Sequence, residues 1–173
     1  TTYNKLFQVI GGTTVTFQDN GITWTLNLST GAMTSAGSGD MGSYTKGTAP
    51  WYQYRKVIKT ITVAKTITSI GDYAFSDCSN LTTVTFSSGS TCTEIGNSAF
   101  ENCTSLNNVK DNTTNNTIPV AVKKIGISAF ENTALTTLNL NNGVTTIKEK
   151  AFSGCDKLVT LTVGTGVTEI GVD

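Results

Sequence analysis

From Ile70 onward the sequence repeats itself, and that periodicity narrows the fold more than any other property of the chain. The run Ile70-Gly71-Asp72-Tyr73-Ala74-Phe75-Ser76-Asp77-Cys78, continuing to Leu81 and Val84, returns as Ile95-Gly96, Ala99-Phe100, Cys103, Leu106 and Val109 at identical offsets. A third copy carries Ile125-Gly126, Ala129-Phe130, Leu135, Leu138 and Leu140, is one residue shorter before its first leucine, and has Thr133 in the cysteine place. A fourth has Ile147, Ala151-Phe152, Cys155, Leu158, Leu161 and Val163, with Lys148 replacing the glycine, and a fifth opens at Val167-Thr168-Glu169-Ile170-Gly171. The leading isoleucines stand 25, 30, 22 and 23 residues apart. The long spacing contains an Asn- and Thr-rich insertion around residues 110–119, which is expected to be a solvated loop leaving one coil.

A unit near 23 residues falls in the range of leucine-rich repeats. Within each unit a stretch such as Leu81-x-x-Val84-x-Phe86 alternates like a short strand, and the Gly, Ser and Asn that follow turn the chain. The Ala-Phe step then lies in a returning arc. One coil cannot bury its own apolar side, so the coils must stack, and stacking puts Phe75, Phe100, Phe130 and Phe152 in a ladder where each covers the next. The expected fold is therefore β-rich: a leucine-rich-repeat solenoid with short strands and irregular or short-helical return arcs. Residues 57–173 hold about four units and a truncated fifth. Residues 1–56 read differently. Thr14-Val15-Thr16-Phe17 and Ile22 to Leu28 alternate around Asp19-Asn20-Gly21 as a β-hairpin, and Trp51 offers a large ring just before the first coil. This segment is expected to be an N-terminal β cap over the end of the array.

Composition excludes several functions. Lys and Arg total 12, as do Asp and Glu, so the net charge is zero and no basic field exists to capture nucleic acid. Charged residues are only 14% of the chain while Thr occurs 33 times, so hydroxyls supply much of the wet surface. No apolar run reaches the ~20 residues of a spanning helix, so insertion of this segment into a membrane is not expected. The chain has no histidine, which removes His-based triads and imidazole metal ligands. Cys78, Cys92, Cys103 and Cys155 lack the paired spacing of a zinc site. Gly37-x-Gly39 lacks the Lys-Ser/Thr ending of a phosphate loop. No catalytic residue, cofactor or metal is expected.

The repeated Ile-Gly-x-x-Ala-Phe-x-x-Cys-x-x-Leu-x-x-Val resembles the BspA-like leucine-rich repeats, and the likeness runs from about Trp24 to Gly171. It includes Trp24-Thr25-Leu26, Gly37-x-Gly39-x-Met41 and Ala49-Pro50-Trp51 in the half that precedes the repeats. The resemblance implies a secreted or surface-displayed, non-enzymatic protein used in adhesion or host contact, with host or matrix proteins as ligands. It also implies a bacterial or protozoan source. Any signal or anchor segment would lie outside this chain.

Three of the cysteines share one repeat position, where a small side chain fills an inward slot or bonds the backbone; a Cys78–Cys103 bridge across adjacent coils is the alternative. A ligand is expected on the strands, whose outward residues form a polar strip: Lys59, Thr60 and Thr62; Thr83 and Thr85; Asn108 and Lys110; Thr137 and Asn139; Thr160 and Thr162. Repetition is expected to make the strip continuous. A protein fits it best and a glycan is the second option; the rival reading is a structural spacer within a longer exported protein.

Overall fold

The computed structural model describes residues 7–10, as backbone, and residues 12–172. Its first elements are β1 (Phe7–Ile10), β2 (Thr14–Asp19) and β3 (Ile22–Asn27), joined as antiparallel neighbours. The β2–β3 turn holds two residues, Asn20 and Gly21, at φ 48° and 80°. That is the left-handed pair a tight hairpin needs, and Asn-Gly supplies it at least cost. Inward residues Val15, Phe17, Ile22, Trp24 and Leu26 are buried.

Next come β4 (Ala32–Ala36) and β5 (Gly39–Asp40), then a single 3-10 turn at Tyr52–Tyr54. From β4 onward the pairing of successive coils is parallel. β4 pairs with β6 (Thr60–Val63), β6 with β8 (Thr83–Phe86), and β8 with β10 (Asn108–Asp111). Alternate residues Ile61, Val63, Val84, Phe86 and Val109 point inward and are buried. Together with β11 (Thr114–Asn115) these strands make an eight-stranded sheet in the order β1-β2-β3-β4-β6-β8-β10-β11. A second side of the coils is a six-stranded sheet, β16-β14-β12-β9-β7-β5. It is built from β7 (Ile67–Ile70), β9 (Glu94–Ile95), β12 (Lys124–Ile125), β14 (Thr146–Ile147) and β16 (Glu169–Ile170), in parallel register through the leading isoleucines, with β5 parallel to β7 at its edge. β13 (Thr137–Asn139) and β15 (Thr160–Thr162) form a separate parallel pair.

The third side is the arc, and it is irregular rather than helical. Its hydrogen bonds alternate. Tyr73, Phe75 and Asp77 donate their N–H groups to the carbonyls of Asn97, Ala99 and Glu101 in the next coil, at 2.8–2.9 Å, while Ala74, Ser76 and Cys78 donate locally, three residues back. Ser98, Phe100 and Asn102 repeat this toward Ile127, Ala129 and Glu131, and Ser128, Phe130 and Asn132 toward Glu149, Ala151 and Ser153. To aim alternate amides along the axis, two positions per coil take left-handed backbone: Tyr73, Ser98, Ser128 and Lys150 at one, and Asp77, Asn102, Asn132 and Gly154 at the other. Asp, Asn and Gly tolerate that region best. At the second position the amides also link coils, Asn132 Nδ2 donating to Asn102 Oδ1 at 2.8 Å and Asn102 Nδ2 to Asp77 Oδ1 at 3.0 Å.

The phenylalanine ladder is present. Ring centroids of Phe75, Phe100, Phe130 and Phe152 follow one another at 5.7, 5.4 and 5.6 Å, with planes within 16° of parallel. Trp51 is its first rung, stacked on Phe75 at 5.4 Å. The Trp51 indole N–H also donates to the Ala74 carbonyl at 2.6 Å, and the Tyr44 N–H to the Asp72 carbonyl at 3.0 Å. These two groups satisfy acceptors that, in later coils, are served by the arc of the coil before.

Candidate functional site

The eight-stranded sheet presents its outward residues in rows fixed by register. One row runs Thr16, Thr25, Thr34, Thr62, Thr85 and Lys110 across β2, β3, β4, β6, β8 and β10. A second runs Ala32, Thr60, Thr83 and Asn108. Neighbouring strands lie about 4.8 Å apart, so each row is a regular line of side chains. Thr16, Thr25 and Thr34 extend the surface onto β2, β3 and β4 and were absent from the strip expected on sequence. Their signal is the Thr-x-Thr alternation of the hairpin, which becomes interpretable only once β4 is known to pair with β6.

Threonine hydroxyls on this chain divide into two groups. Those at coil corners are engaged: Thr82, Thr91, Thr93, Thr145 and Thr168 donate to the carbonyls of Lys59, Lys65, Thr68, Lys123 and Thr145 of the preceding coil, at 2.8–3.3 Å. Among the described residues the hydroxyls of Thr34, Thr60, Thr62, Thr83 and Thr85 have no partner within the chain. They are available to a ligand or to water.

The strip is not continuous, contrary to expectation. The insertion is no free loop: β11 folds back on β10, pairing Asn115 with Lys110 and Thr114 with Asp111. The chain then runs between β10 and β13, with Thr117 donating to the Val109 carbonyl, Ile118 to the Asn139 carbonyl, and Asn139 to the Asn116 carbonyl. Ile118 and Pro119 are buried as a result. Backbone groups exposed by the extra residues are satisfied by wedging into the sheet, and this separates Thr137, Asn139, Thr160 and Thr162 from Thr60, Thr62, Thr83, Thr85, Asn108 and Lys110. Lys59 precedes β6, outside the alternation, and its stem packs over Gly31, where an added Cβ would lie 2.8 Å from Lys59 Cγ.

Residues 109–173 match the family model described as "BspA type Leucine rich repeat region (6 copies)". These residues carry BspA-type leucine-rich repeats. Among solved structures, a leucine-rich repeat protein from Eubacterium ventriosum is similar at 30% identity and a TM-score of 0.70, covering 90% of this chain and 45% of its own. A leucine-rich repeat protein from Bacteroides ovatus is similar at 18% identity and TM-score 0.62, over 90% of this chain and 41% of its own. The pneumococcal vaccine antigen PcpA shares the fold at 18% identity and TM-score 0.51, over 88% of this chain and 38% of its own. The chain thus spans less than half the length of these relatives. No curated protein matches it.

The cysteines of the coils are free thiols. Cys103 Sγ donates to the Phe75 carbonyl at 3.2 Å and Cys155 Sγ to the Phe130 carbonyl at 3.1 Å, so the shared position serves the carbonyl of the preceding coil's phenylalanine. Burial pushes the Cys78 and Cys92 thiols up to about 12 and Cys103 well above its ordinary value. Such thiols are poor nucleophiles.

The glutamates occupy three different repeat positions. Glu94 pairs with Lys124 at 2.7 Å, Glu101 with Lys46 at 2.9 Å and Glu169 with Lys148 at 2.6 Å. Asp77 accepts from Tyr52 Oη at 2.9 Å as well as from Asn102; burial raises its pKa, but these bonds and Lys46 outweigh it and the carboxyl titrates below its ordinary value. Among the described residues no cluster of His, Cys, Asp or Glu could hold a metal ion, and no helix is long and apolar enough to cross a membrane.

Proposed function

We propose that the chain is an extracellular, non-catalytic binding module that engages a protein ligand through the outward face of its eight-stranded sheet. The supporting observation is the contrast between its threonines. Corner hydroxyls are committed to the fold, whereas the aligned hydroxyls of Thr34, Thr60, Thr62, Thr83 and Thr85, flanked by Asn108 and Lys110, are uncommitted donors and acceptors on a rigid surface. A surface built on strands presents such groups at fixed spacing, which lowers the ordering cost of binding. The face has no outward aromatic ring in these rows, so it favours a polar protein partner over a sugar-stacking one.

Immobilised host matrix and plasma proteins test the proposal directly. Saturable capture by at least one of them is expected, and Thr62→Arg with Thr85→Arg should weaken it at least tenfold while leaving the melting temperature within a degree or two. Absence of saturable capture across the panel would favour the spacer reading, and capture that ignores both arginines would move the site off this sheet. A glycan array separates the carbohydrate alternative.

A further inference from the structure

Charge on this chain is sorted by face, although the total is zero. From β2 to β11 the outward positions of the eight-stranded sheet hold Thr, Asn, Ala and Gln with a single lysine, Lys110, and no carboxylate. The two aspartates of these strands stand at inward register. Asp19 is buried, its Oδ1 accepting from the Gly42 N–H at 2.9 Å, and Asp111 is in register with Phe86. Every other described carboxylate side chain lies on the six-stranded sheet or the arcs.

The lysines around this sheet are left uncompensated. Lys46, Lys124 and Lys148 pair with Glu101, Glu94 and Glu169 on the other sides of the coils. Among the described residues Lys59, Lys65 and Lys110 have no carboxylate partner. Lys59 and Lys65 are exposed at the two ends of β6, up to about 20 Å apart at the rise of a strand, and Lys110 lies two strands along, about 10 Å across the sheet. Thr60, Thr62, Thr83 and Thr85, with their uncommitted hydroxyls, fill the space between these three lysines.

Resting on the reading of this sheet as the ligand surface, we propose that its partner is an acidic protein segment. Spaced carboxylates of the segment meet Lys59, Lys65 and Lys110, and the threonine hydroxyls between them donate to its carboxylate and backbone oxygens. Two features select that chemistry. Ammonium and hydroxyl groups both donate to anionic oxygen, and hydrogen bonds to an ionised acceptor are roughly twice as strong as neutral ones. The lysines also stand too far apart to share one phosphate or sulfate, and three charges on a chain of zero net charge give no dense basic field for a sulfated glycan or a nucleic acid. Carboxylates spread along a polypeptide match the spacing. A basic segment is repelled, since no outward carboxylate on these strands offsets the lysines.

Titration with a peptide of alternating Glu and Ser, and with its Lys and Ser counterpart, tests this by nuclear magnetic resonance. The glutamate peptide should bind saturably and shift the amides of Thr60, Thr62, Thr83 and Thr85. Its affinity should fall at least tenfold between about 0.01 M and 0.15 M salt, as the screening length shortens from about 30 Å to about 8 Å. The lysine peptide should not bind. Lys59→Glu with Lys110→Glu should weaken binding at least tenfold at an unchanged melting temperature. Lys150→Glu with Lys157→Glu, the same change of net charge placed on the last arc, should alter it less than twofold. Equal losses in the two pairs, or no binding of the glutamate peptide, would overturn the proposal. A heparin oligosaccharide that binds more tightly than the peptide through the same lysines would overturn it in favour of a sulfated glycan. Capture of a matrix protein that is lost with Thr62→Arg and Thr85→Arg, yet unchanged by Lys59→Glu with Lys110→Glu, would refute the acidic partner alone and leave the sheet as the ligand surface.

Discussion

Trp51 shows how one side chain ends a repeat array. Its ring takes the place of a phenylalanine over Phe75, and its indole N–H takes the place of an arc amide at the Ala74 carbonyl. Trp51→Phe should keep the stacking and lose the bond, lowering stability by about 0.5–1.5 kcal/mol plus the cost of a buried carbonyl without a partner. Trp51→Ala should cost about 3–5 kcal/mol; equal urea midpoints for the two variants would show that the bond and the ring are not separable in this way. The left-handed positions are set by the same local logic. Asn102 sits at φ 60° and bridges Asp77 to Asn132, so Asn102→Gly should cost less than Asn102→Ala, which adds roughly 1–2 kcal/mol of left-handed strain to the lost amide. The cysteines give a third expectation: under native conditions an alkylating reagent should reach half-exposed Cys155 first and leave buried Cys78, Cys92 and Cys103 unlabelled until the chain unfolds. Early modification of Cys103 would contradict the assignment of its thiol to the core.

At the scale of strands and turns, threonine does two jobs that composition alone cannot separate. Thr91→Val removes a hydroxyl bonded at 2.8 Å to the Lys65 carbonyl and should cost about 0.5–1 kcal/mol, whereas Thr83→Val removes one without an internal partner and should leave thermal unfolding nearly unchanged. The coil strands, the hairpin at Asn20-Gly21 and the phenylalanine column are legible in the sequence because each is a local period or turn signal repeated in register. The breaks in the candidate site are not. Residues 110–119 read as a loop because they are polar, and their pairing with β10 and Asn139 is a long-range consequence of backbone groups that must be satisfied between two coils. The contribution of Thr16, Thr25 and Thr34 was hidden for a related reason: parallel pairing of β4 with β6 places the hairpin in the same sheet as the repeats, and no short-range pattern announces that pairing.

Over the whole molecule, stability is a sum of coils and the contacts between neighbours, so a lesion in one coil should spread to both sides of it. The aromatic column from Trp51 to Phe152 is the physical link, with Cys103, the arc amides and the asparagine bridge running beside it. Because Phe100 stacks on Phe75 and Phe130 and is 1% exposed, it touches more of that link than any surface residue can. Native-state hydrogen exchange of Phe100→Ala, followed amide by amide along the arcs, is the most direct measurement. A loss of about 3–5 kcal/mol is expected, with protection falling at Phe75 and Asp77 in one neighbouring coil and at Phe130 and Asn132 in the other. Wild-type protection in either neighbouring arc, or wild-type melting of the variant, would contradict a core held together as a ladder.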